Sequence, residues 1–338
     1  MTTIEQVRIV EAGKISLDRV ELAPCGPRDA IVDVAACGIC GSDLSYIRLG
    51  GLAGPSGEPM ALGHELAGTV TTVGAEVTDI AVGQRVVVHP GADDIGRIGN
   101  GTPEGGLSDA VLVREAARGG RLFAIPDDMT FDVAALAEPV AVGMHAAEQA
   151  GVDLDDKVAV FGCGPIGLAA IASLADRGLT DIVAVDLSAT RRRLAETVGA
   201  ANSIDPAETS VWAELSRLHG TAQVQFGTAP ATSAYIEATG SSKMLTKIID
   251  RAGRASTICV VALHYEPVPV NFLSVLMKEL TIRGSIEYPA NFGDAIELLS
   301  RRDLSPLITH RYPLSEITSA LEVLDSSREC GKVMIEMR

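Results

Sequence analysis

The chain has 338 residues, enough for two domains, and its 47% hydrophobic and 21% charged content suits a well-packed globular protein. A net charge of −16 repels phosphate backbones and sets nucleic acid aside as a partner. No run of about eighteen apolar residues lacks charges or turn residues, so no membrane span is expected.

The N-terminal MTTIEQVRIVEAGK lacks a basic-then-apolar signal pattern. The six cysteines, at 25, 37, 40, 163, 259 and 330, lack the spacing of a disulfide framework. A reduced, cytoplasmic protein is therefore expected, with its thiols in core packing or metal binding. Over the first 150 residues, short β-rich runs alternate with Gly and Pro: Gln6–Val10, Ala30–Ala36, Ala67–Val73, Arg85–Val88, Ala110–Val113 and Leu122–Ile125. This predicts a compact, partly barrel-like β domain.

Three fragments in that domain carry metal-ligand chemistry: Cys37-Gly38-Ile39-Cys40-Gly41-Ser42-Asp43, Gly63-His64-Glu65 and Leu136-Ala137-Glu138-Pro139. Each has a plainer reading. Cys37 and Cys40 could be a redox pair or half a structural zinc site, although no second CxxC exists to close one. His64 could be a hydrogen-bonded packing residue, and Glu138 an exposed helix end. Together they offer a thiolate, an imidazole and carboxylates, a mixed set that suits a catalytic zinc with one position left for water or substrate.

The middle of the chain is organised around Val158 to Asp186. The apolar run Val158–Phe161 leads into Gly162-Cys163-Gly164-Pro165-Ile166-Gly167, and apolar residues then recur at helical spacing to Leu174. A second β-branched run, Ile182–Val185, ends on Asp186, nineteen residues after Gly167. Strand, glycine turn, helix, strand and acid in this order predict a dinucleotide site. Gly162 allows the tight turn, Gly164 the approach of a pyrophosphate, and Gly167 close packing of helix on sheet; the helix start at Pro165 and Ile166 faces the phosphates. Asp186 can accept from both ribose hydroxyls and repels a 2′-phosphate, which favours NAD over NADP. Arg191, Arg192 and Arg193 could favour NADP instead. They also read as a solvated helix face, with one of them, such as Arg191, stacked on adenine.

Beyond Asp186 the alternation continues, with strands at Asn202–Asp205 and Ser233–Ala238 and a helix near Ser210–Leu218. Residues 220–232 read as a polar surface loop. Thr239 and Gly240 follow a strand at the cofactor edge and are expected to line the adenine side. Ala255–Val261 is the next strand, and Ala262-Leu263-His264 is expected near the nicotinamide; His264 could touch cofactor or substrate, and its plainer reading is a loop histidine facing solvent. Leu280–Ile286 reads as the last parallel strand. Asn291–Arg301 and Ser315–Asp325 read as helices, Leu307-Ile308 as a short strand, and Lys332–Ile335 as a strand closing a sheet begun in the N-terminal half.

Many of these fragments occur in the order of one family: GICGSD, ALGHELAGTV with VGQRVVV, ALAEPVAVGMHA, GCGPIG, VDLSATRRRLAETVGA, IEATG, and ELTIRGS with LITHRYPLSEI and GKVMIEM. Over nearly its whole length the chain resembles the zinc-dependent medium-chain alcohol dehydrogenases, most of all their sorbitol (polyol) and secondary-alcohol branch. The resemblance implies an α/β protein, a Rossmann dinucleotide-binding domain with a parallel doubly wound sheet, residues 151–286, inserted in a β-rich GroES-like catalytic domain, residues 1–150 and 287–338. The active site is expected in the cleft between the domains. The resemblance also implies a homodimer or homotetramer, paired through edges of the cofactor domains.

Carried over residue by residue, the resemblance implies that Cys40 and His64 are zinc ligands. Glu65 is a direct ligand in the sorbitol-type arrangement. Glu138 then holds the metal-bound water or enters the coordination shell during turnover, and which carboxylate coordinates at rest stays open. Cys37 falls outside the matching position and is assigned to the core. Asp43 is expected to orient His64, and Ser42 to take the proton of the substrate hydroxyl. The expected reaction is reversible oxidation of a secondary alcohol or polyol to the ketone, by hydride transfer to NAD.

The sequence departs from the family at three places. A histidine that many relatives use to pass the proton outward is replaced by Ser45. Residues 89–109 lack the four cysteines of a second, structural zinc, so one zinc per subunit and a metal-free surface loop are expected. Glu287 stands where relatives have an arginine before the tyrosine of the matching segment, here Tyr288; it reads either as a pocket residue, with Tyr46, that disfavours anionic substrates or as a surface glutamate near the domain hinge. Two other readings are a metal-independent NADP-linked reductase of the same superfamily and a non-catalytic dinucleotide-binding protein. The ordered Cys40, His64 and Glu65 set counts against both.

Overall fold

The computed structural model describes residues 2–55, 57–91, 96–225, 227–327 and 329–337. By its internal contacts the chain divides into two compact units, Met1–Glu138 with Phe292–Arg338, and Pro139–Asn291.

The first unit is built from strands β1 (Thr3–Glu11), β2 (Lys14–Glu21) and β3 (Ala30–Ile39), helix α1 (Gly41–Leu49), strands β4 (Met60–Ala61), β5 (Glu65–Val73), β6 (Arg85–Val88), β7 (Ala110–Val113) and β8 (Leu122–Ala124), and helix α2 (Phe131–Ala135). Helix α3 (Ala137–Gln149) begins on its last two residues. β1, β2 and β4 form a small antiparallel sheet. In the large sheet β3 pairs antiparallel with β5 and β7, and β5 continues through β6 to β8. Val32, Val34, Leu66, Val70, Val86 and Val88 point into one core, the alternation that period-2 patterning requires.

The second unit holds strands β9 (Val158–Phe161), β10 (Ile182–Val185), β11 (Asn202–Ile204), β12 (Thr221–Val224), β13 (Gly227–Pro230), β14 (Ala234–Glu237), β15 (Thr257–Val260) and β16 (Thr281–Gly284). Its helices are α4 (Pro165–Asp176), α5 (Ala189–Val198), α6 (Val211–His219), α7 (Ser242–Arg251) and α8 (Phe272–Lys278). Six strands form one parallel sheet in the order β11-β10-β9-β14-β15-β16. β9, β10 and β14 are buried along their whole length, which is why β9 and β10 read as unbroken apolar runs rather than alternating ones. The chain then returns to the first unit with α9 (Gly293–Arg301), β17 (Ile308–Pro313), α10 (Ile317–Ser326) and β18 (Lys332–Glu336). β18 lies antiparallel to β3, with Val333 opposite Ile39, and so closes the large sheet as expected.

Two loop expectations are corrected. Within residues 220–232 there is a hairpin, β12 with β13, in register from Thr221 opposite Pro230 to Val224 opposite Gly227; Phe226 lies outside the described residues. Its polar, alternating TAQV strand hid the pattern that an apolar strand displays. The 89–109 segment is not a surface loop. Ile98 and Leu107 are fully buried, and Gly106 N–H and Leu107 N–H donate to Gly63 O and Leu62 O at 2.7 and 3.0 Å. Glycine makes this possible, because a Cβ at Gly105 would lie 2.4 Å from Leu62 O. The segment thus clamps the residues that lead into His64; Ala92 to Ile95 lie outside the described residues. Among the described residues no helix is long and apolar enough to cross a membrane.

Candidate active site

In the first unit β3 ends at Ile39, and Cys40 becomes the N-cap of α1 in extended backbone geometry. The Asp43 carboxylate reaches back to accept from Cys40 N–H at 2.8 Å, the reciprocal contact of a capping box, which fixes the turn carrying the thiol. Glu65 opens β5 and His64 immediately precedes it. The other Asp43 oxygen lies 3.7 Å from His64 Nδ1, and His64 Nε2 lies 3.5 Å from the Ser42 hydroxyl. Asp43 therefore faces one ring nitrogen and leaves the other toward Ser42.

Register completes the group. Glu65 on β5 sits opposite Gly38 on β3, and Lys332 begins β18 on the other side of β3. The Glu65 carboxylate lies across Gly38, where a Cβ would come within 2.0 Å of its Oε2. There it meets Lys332 Nζ, which donates to both carboxylate oxygens at 2.6 Å and to Ile39 O at 3.1 Å. Gly38 is the gap through which two buried, opposite charges from neighbouring strands reach each other.

Cys40 Sγ, a His64 ring nitrogen and a Glu65 oxygen all lie within 4.8 Å of one another, and among the described residues this is the group able to hold a metal ion. The donor set fits zinc, whose bonds of about 2.0–2.3 Å to N, O and S need donors from a few ångströms apart. The charges agree. Burial lowers the proton affinity of His64, but Asp43, with Cys40 and Glu138, more than reverses this and lifts the imidazole well above its ordinary value. Burial likewise opposes the charge on Lys332, and Glu65 with Cys40 raises it above the usual ammonium value. Burial pushes Asp43 up, against His64 and the backbone N–H groups that hold its charge. A buried cage with this surplus of acidic groups favours a cation, and a divalent ion on these donors would displace the imidazole proton. Glu138 is buried at the start of α3 and acts electrostatically on both His64 and Lys332, but its oxygens are not part of the 4.8 Å group.

The second unit presents a cradle made of backbone. Gly162 takes φ +91, and a Cβ on Gly167 would lie 1.8 Å from Gly162 O, so α4 packs on β9 only with glycine there. At Gly164, the N-cap of α4, a Cβ would meet no protein atom within 4 Å, with Pro165 next in the first turn. Open space before the free N–H groups of Ile166 and Gly167 is what a pyrophosphate requires. Asp186, just past β10, accepts from Cys163 N–H and Ser188 N–H at 2.7 Å each, one on either oxygen. Arg192 is occupied by Asp186 O and by Asp205, each at 2.8 Å, whereas Arg191 is half-buried on the first turn of α5. Thr239 and Gly240 are exposed just past β14.

Other expected residues fall elsewhere. Cys37 is in the core, as assigned, its thiol pushed well up by burial. Tyr46 packs against the first unit's core. Glu287 is exposed in the second unit, in the left-handed region at φ +61. Ser45 donates to Gly41 O at 3.3 Å. His264 does not face solvent: its side chain is only 10% exposed and lies against Glu237. Sequence reading missed Gly38 and Lys332 as parts of the metal group. A lysine opening the apolar run Val333-Met334-Ile335 was the available signal.

The pattern described as "Alcohol dehydrogenase GroES-like domain" matches residues 26–127, and the one described as "Zinc-binding dehydrogenase" matches 165–301. Sorbitol dehydrogenase of Bos taurus is 32% identical, covering 96% of this chain and 93% of its own. (R,R)-butanediol dehydrogenase of Neisseria gonorrhoeae is 33% identical over 94% of each. The crystal structure of 2R,3R-butanediol dehydrogenase from Bacillus subtilis superposes with a TM-score of 0.85 at 30% identity, over 99% of this chain and 100% of the other. The GroES-like and Rossmann-like folds are thereby shown, and with them an enzyme that works with zinc and a nicotinamide cofactor. The chain belongs to the zinc-dependent medium-chain alcohol dehydrogenases, on their sorbitol dehydrogenase-like branch.

Proposed function

We propose that the protein reversibly oxidises a secondary alcohol, in a polyol or vicinal diol, to the ketone, with NAD and one zinc ion per chain. The observation that carries this reading is the Cys40, His64 and Glu65 group with the Ser42 hydroxyl 3.5 Å from His64 Nε2. Zinc, when bound, supplies a Lewis acid that acidifies the alcohol, and the nicotinamide supplies a hydride acceptor.

The chain's own groups do the rest. Ser42 receives the hydroxyl proton. Asp43 sets the orientation of His64 and leaves Nε2 for the metal, and Lys332 holds the Glu65 carboxylate. Glu138 is the second carboxylate, ordering water or entering the coordination shell during turnover. Ser45, its hydroxyl donated to Gly41 O, keeps lone pairs for an onward relay through water. Asp186 is held by two backbone N–H groups where it would take the ribose hydroxyls and repel a 2′-phosphate, which supports NAD. Arg191 is assigned to flank the adenine.

A homodimer or homotetramer is part of the same reading. Edge strand β16 is exposed at all four residues, and Phe272, Leu276 and Ile286 are 73%, 70% and 69% exposed. An apolar edge of this kind suits a second copy of the chain. The substrate names of the similar proteins, sorbitol and butanediol, share a secondary carbinol beside another hydroxyl.

The test is the rate of NADH formation across sorbitol, xylitol, 2,3-butanediol, threonine, 2-octanol and 1-phenylethanol, before and after metal removal. Polyol or diol oxidation that disappears with a chelator and returns with zinc is expected. A rate indifferent to the chelator would overturn the zinc reading, and preference for the apolar carbinols would overturn the substrate class.

A further inference from the structure

Gly63 sits among the groups that shape the metal site. Its N–H donates to Asp43 Oδ1 at 3.4 Å, the oxygen that lies 3.7 Å from His64 Nδ1, and His64 is the next residue along the chain. A Cβ on Gly63 would come within 2.5 Å of Leu107 N and 2.9 Å of Cys37 Sγ, so no room is left around its peptide. In an interior packed this closely, a shift of Gly63 is passed on to Asp43 and to the imidazole.

Residues 97–108 hold Gly63 from two sides. Gly106 N–H donates to Gly63 O at 2.7 Å, and Gly99 packs so close that a Cβ there would lie 2.2 Å from the same oxygen. Both arms meet at Glu104. Its carbonyl accepts from Gly99 N–H at 2.7 Å, and it stands two residues before Gly106. Its buried carboxylate accepts at Oε1 from Arg114 Nε and Nη2, at 2.8 and 2.6 Å. Arg114 directly follows β7, which pairs with β3, the strand that leads into Cys40. On the other side, Gln6 Nε2 on β1 donates to Pro103 O at 3.2 Å. With the Glu104 side chain only 8% exposed and two charge-assisted bonds on it, this pair is a fixed point rather than a loose surface contact.

We propose that Glu104 and Arg114 are positioning residues for the metal: their ion pair locks residues 97–108 against Gly63, and through Gly63 it sets Asp43 and His64 in ligand geometry. The proposal rests on the zinc reading of Cys40, His64 and Glu65.

The experiment loads wild type and variants with zinc or with cobalt(II), whose visible bands report the arrangement of its ligands. Melting temperature, the rate of zinc transfer to a chromophoric chelator and the cobalt spectrum are measured on each. Arg114→Met is expected to release zinc about tenfold faster, the low end of what losing the support of a metal ligand costs, and to shift the cobalt bands. Arg114→Lys, which restores the charge and one donor, is expected to stay within about threefold of wild type. If Arg114→Met leaves Glu104 too poorly paired to fold, the double variant with Glu104→Gln removes the stranded charge, and the same faster release and shifted bands are expected of it. Arg28→Met, which breaks the pairs with Glu76 and Glu115, is the control and should match wild type in both metal readouts. Zinc release and cobalt bands like those of wild type in the Arg114→Met or double variant, whatever the melting temperature, would assign the pair to stability alone and overturn the proposal. An equal change in Arg28→Met would overturn it too, by showing that general loosening suffices. Wild type that took up neither metal would bring down the zinc reading itself, an outcome distinct from failure of the variants to differ.

Discussion

Cys40, the adjacent His64 and Glu65, and Lys332 come from three separate segments and are ionisable side chains, all buried except the half-buried Cys40, whereas the cradle from Gly162 to Asp186 is one continuous βαβ made mostly of backbone. The two regions manage charge in opposite ways. The metal group gathers anions in a dry interior and depends on Lys332 and a metal ion to balance them, so its stability and chemistry cannot be separated. The cradle offers N–H groups and open space to a ligand that brings its own charge, so at an open position such as Gly164 it can be damaged without unfolding anything. Substitutions in the first region should therefore cost metal and fold together, and those at open positions of the second should cost affinity alone.

The largest effect is expected at the ligands themselves. Cys40→Ala or His64→Ala should lower alcohol oxidation by about a thousandfold or more, in line with the several kcal/mol a Lewis-acid metal contributes, while zinc content falls from one per chain toward none. Calorimetric titration should find NADH affinity unchanged. A Cys40→Ala protein that lost zinc and kept its turnover would refute the role given to the metal.

Next comes Lys332→Met, which leaves the Glu65 carboxylate buried without its ammonium. Breaking a buried pair from one side costs about 3–5 kcal/mol, so urea unfolding should show a loss of that order and Lys332→Arg a much smaller one. Bound zinc would offset part of the loss by drawing the freed carboxylate, so the apo and zinc-loaded proteins are to be compared. A loss below about 0.5 kcal/mol in both would mean the pair is not what holds the sheet closed at Glu65.

Legibility in the sequence follows the same division. The second unit could be read because its signal is local: glycine spacing, the helix after it and Asp186 lie within one stretch, and the flanking strands β9 and β10 are unbroken apolar runs. Cys40, His64 and Glu65 could be named only because their fragments resemble a family in order, since CxxC, a lone histidine and a glutamate each had a plainer use. Lys332 and Glu65 are 267 residues apart and meet because β18 and β5 flank β3, which spacing along the chain does not reveal. Residues 89–109 were misread because glycine content signals a loop equally well when the loop is packed against Leu62 and Gly63. The solvent-facing reading of His264 failed for a similar reason, as nothing near it in sequence announces Glu237.

Two glycines sharpen the comparison to a single methyl group. At Gly38 the added Cβ of an alanine would lie 2.0 Å from Glu65 Oε2, and the carboxylate must move. Gly38→Ala should cost about 1–3 kcal/mol of stability by overpacking and weaken zinc retention against a competing chelator. At Gly164 the same Cβ meets no protein atom, and φ −69 with ψ −179 suits alanine. Gly164→Ala should leave stability unchanged or raise it by about 0.5 kcal/mol, because the unfolded chain loses freedom. The methyl then occupies the space assigned to the pyrophosphate, and NADH affinity should fall about tenfold, equivalent to about 1.4 kcal/mol. Unfolding and binding measured on the same two proteins would thus separate a glycine required by the fold from one required by the ligand. If Gly164→Ala bound NADH as wild type does, the pyrophosphate would have to lie away from the α4 N-cap, and the cradle would need to be redrawn around Asp186 alone.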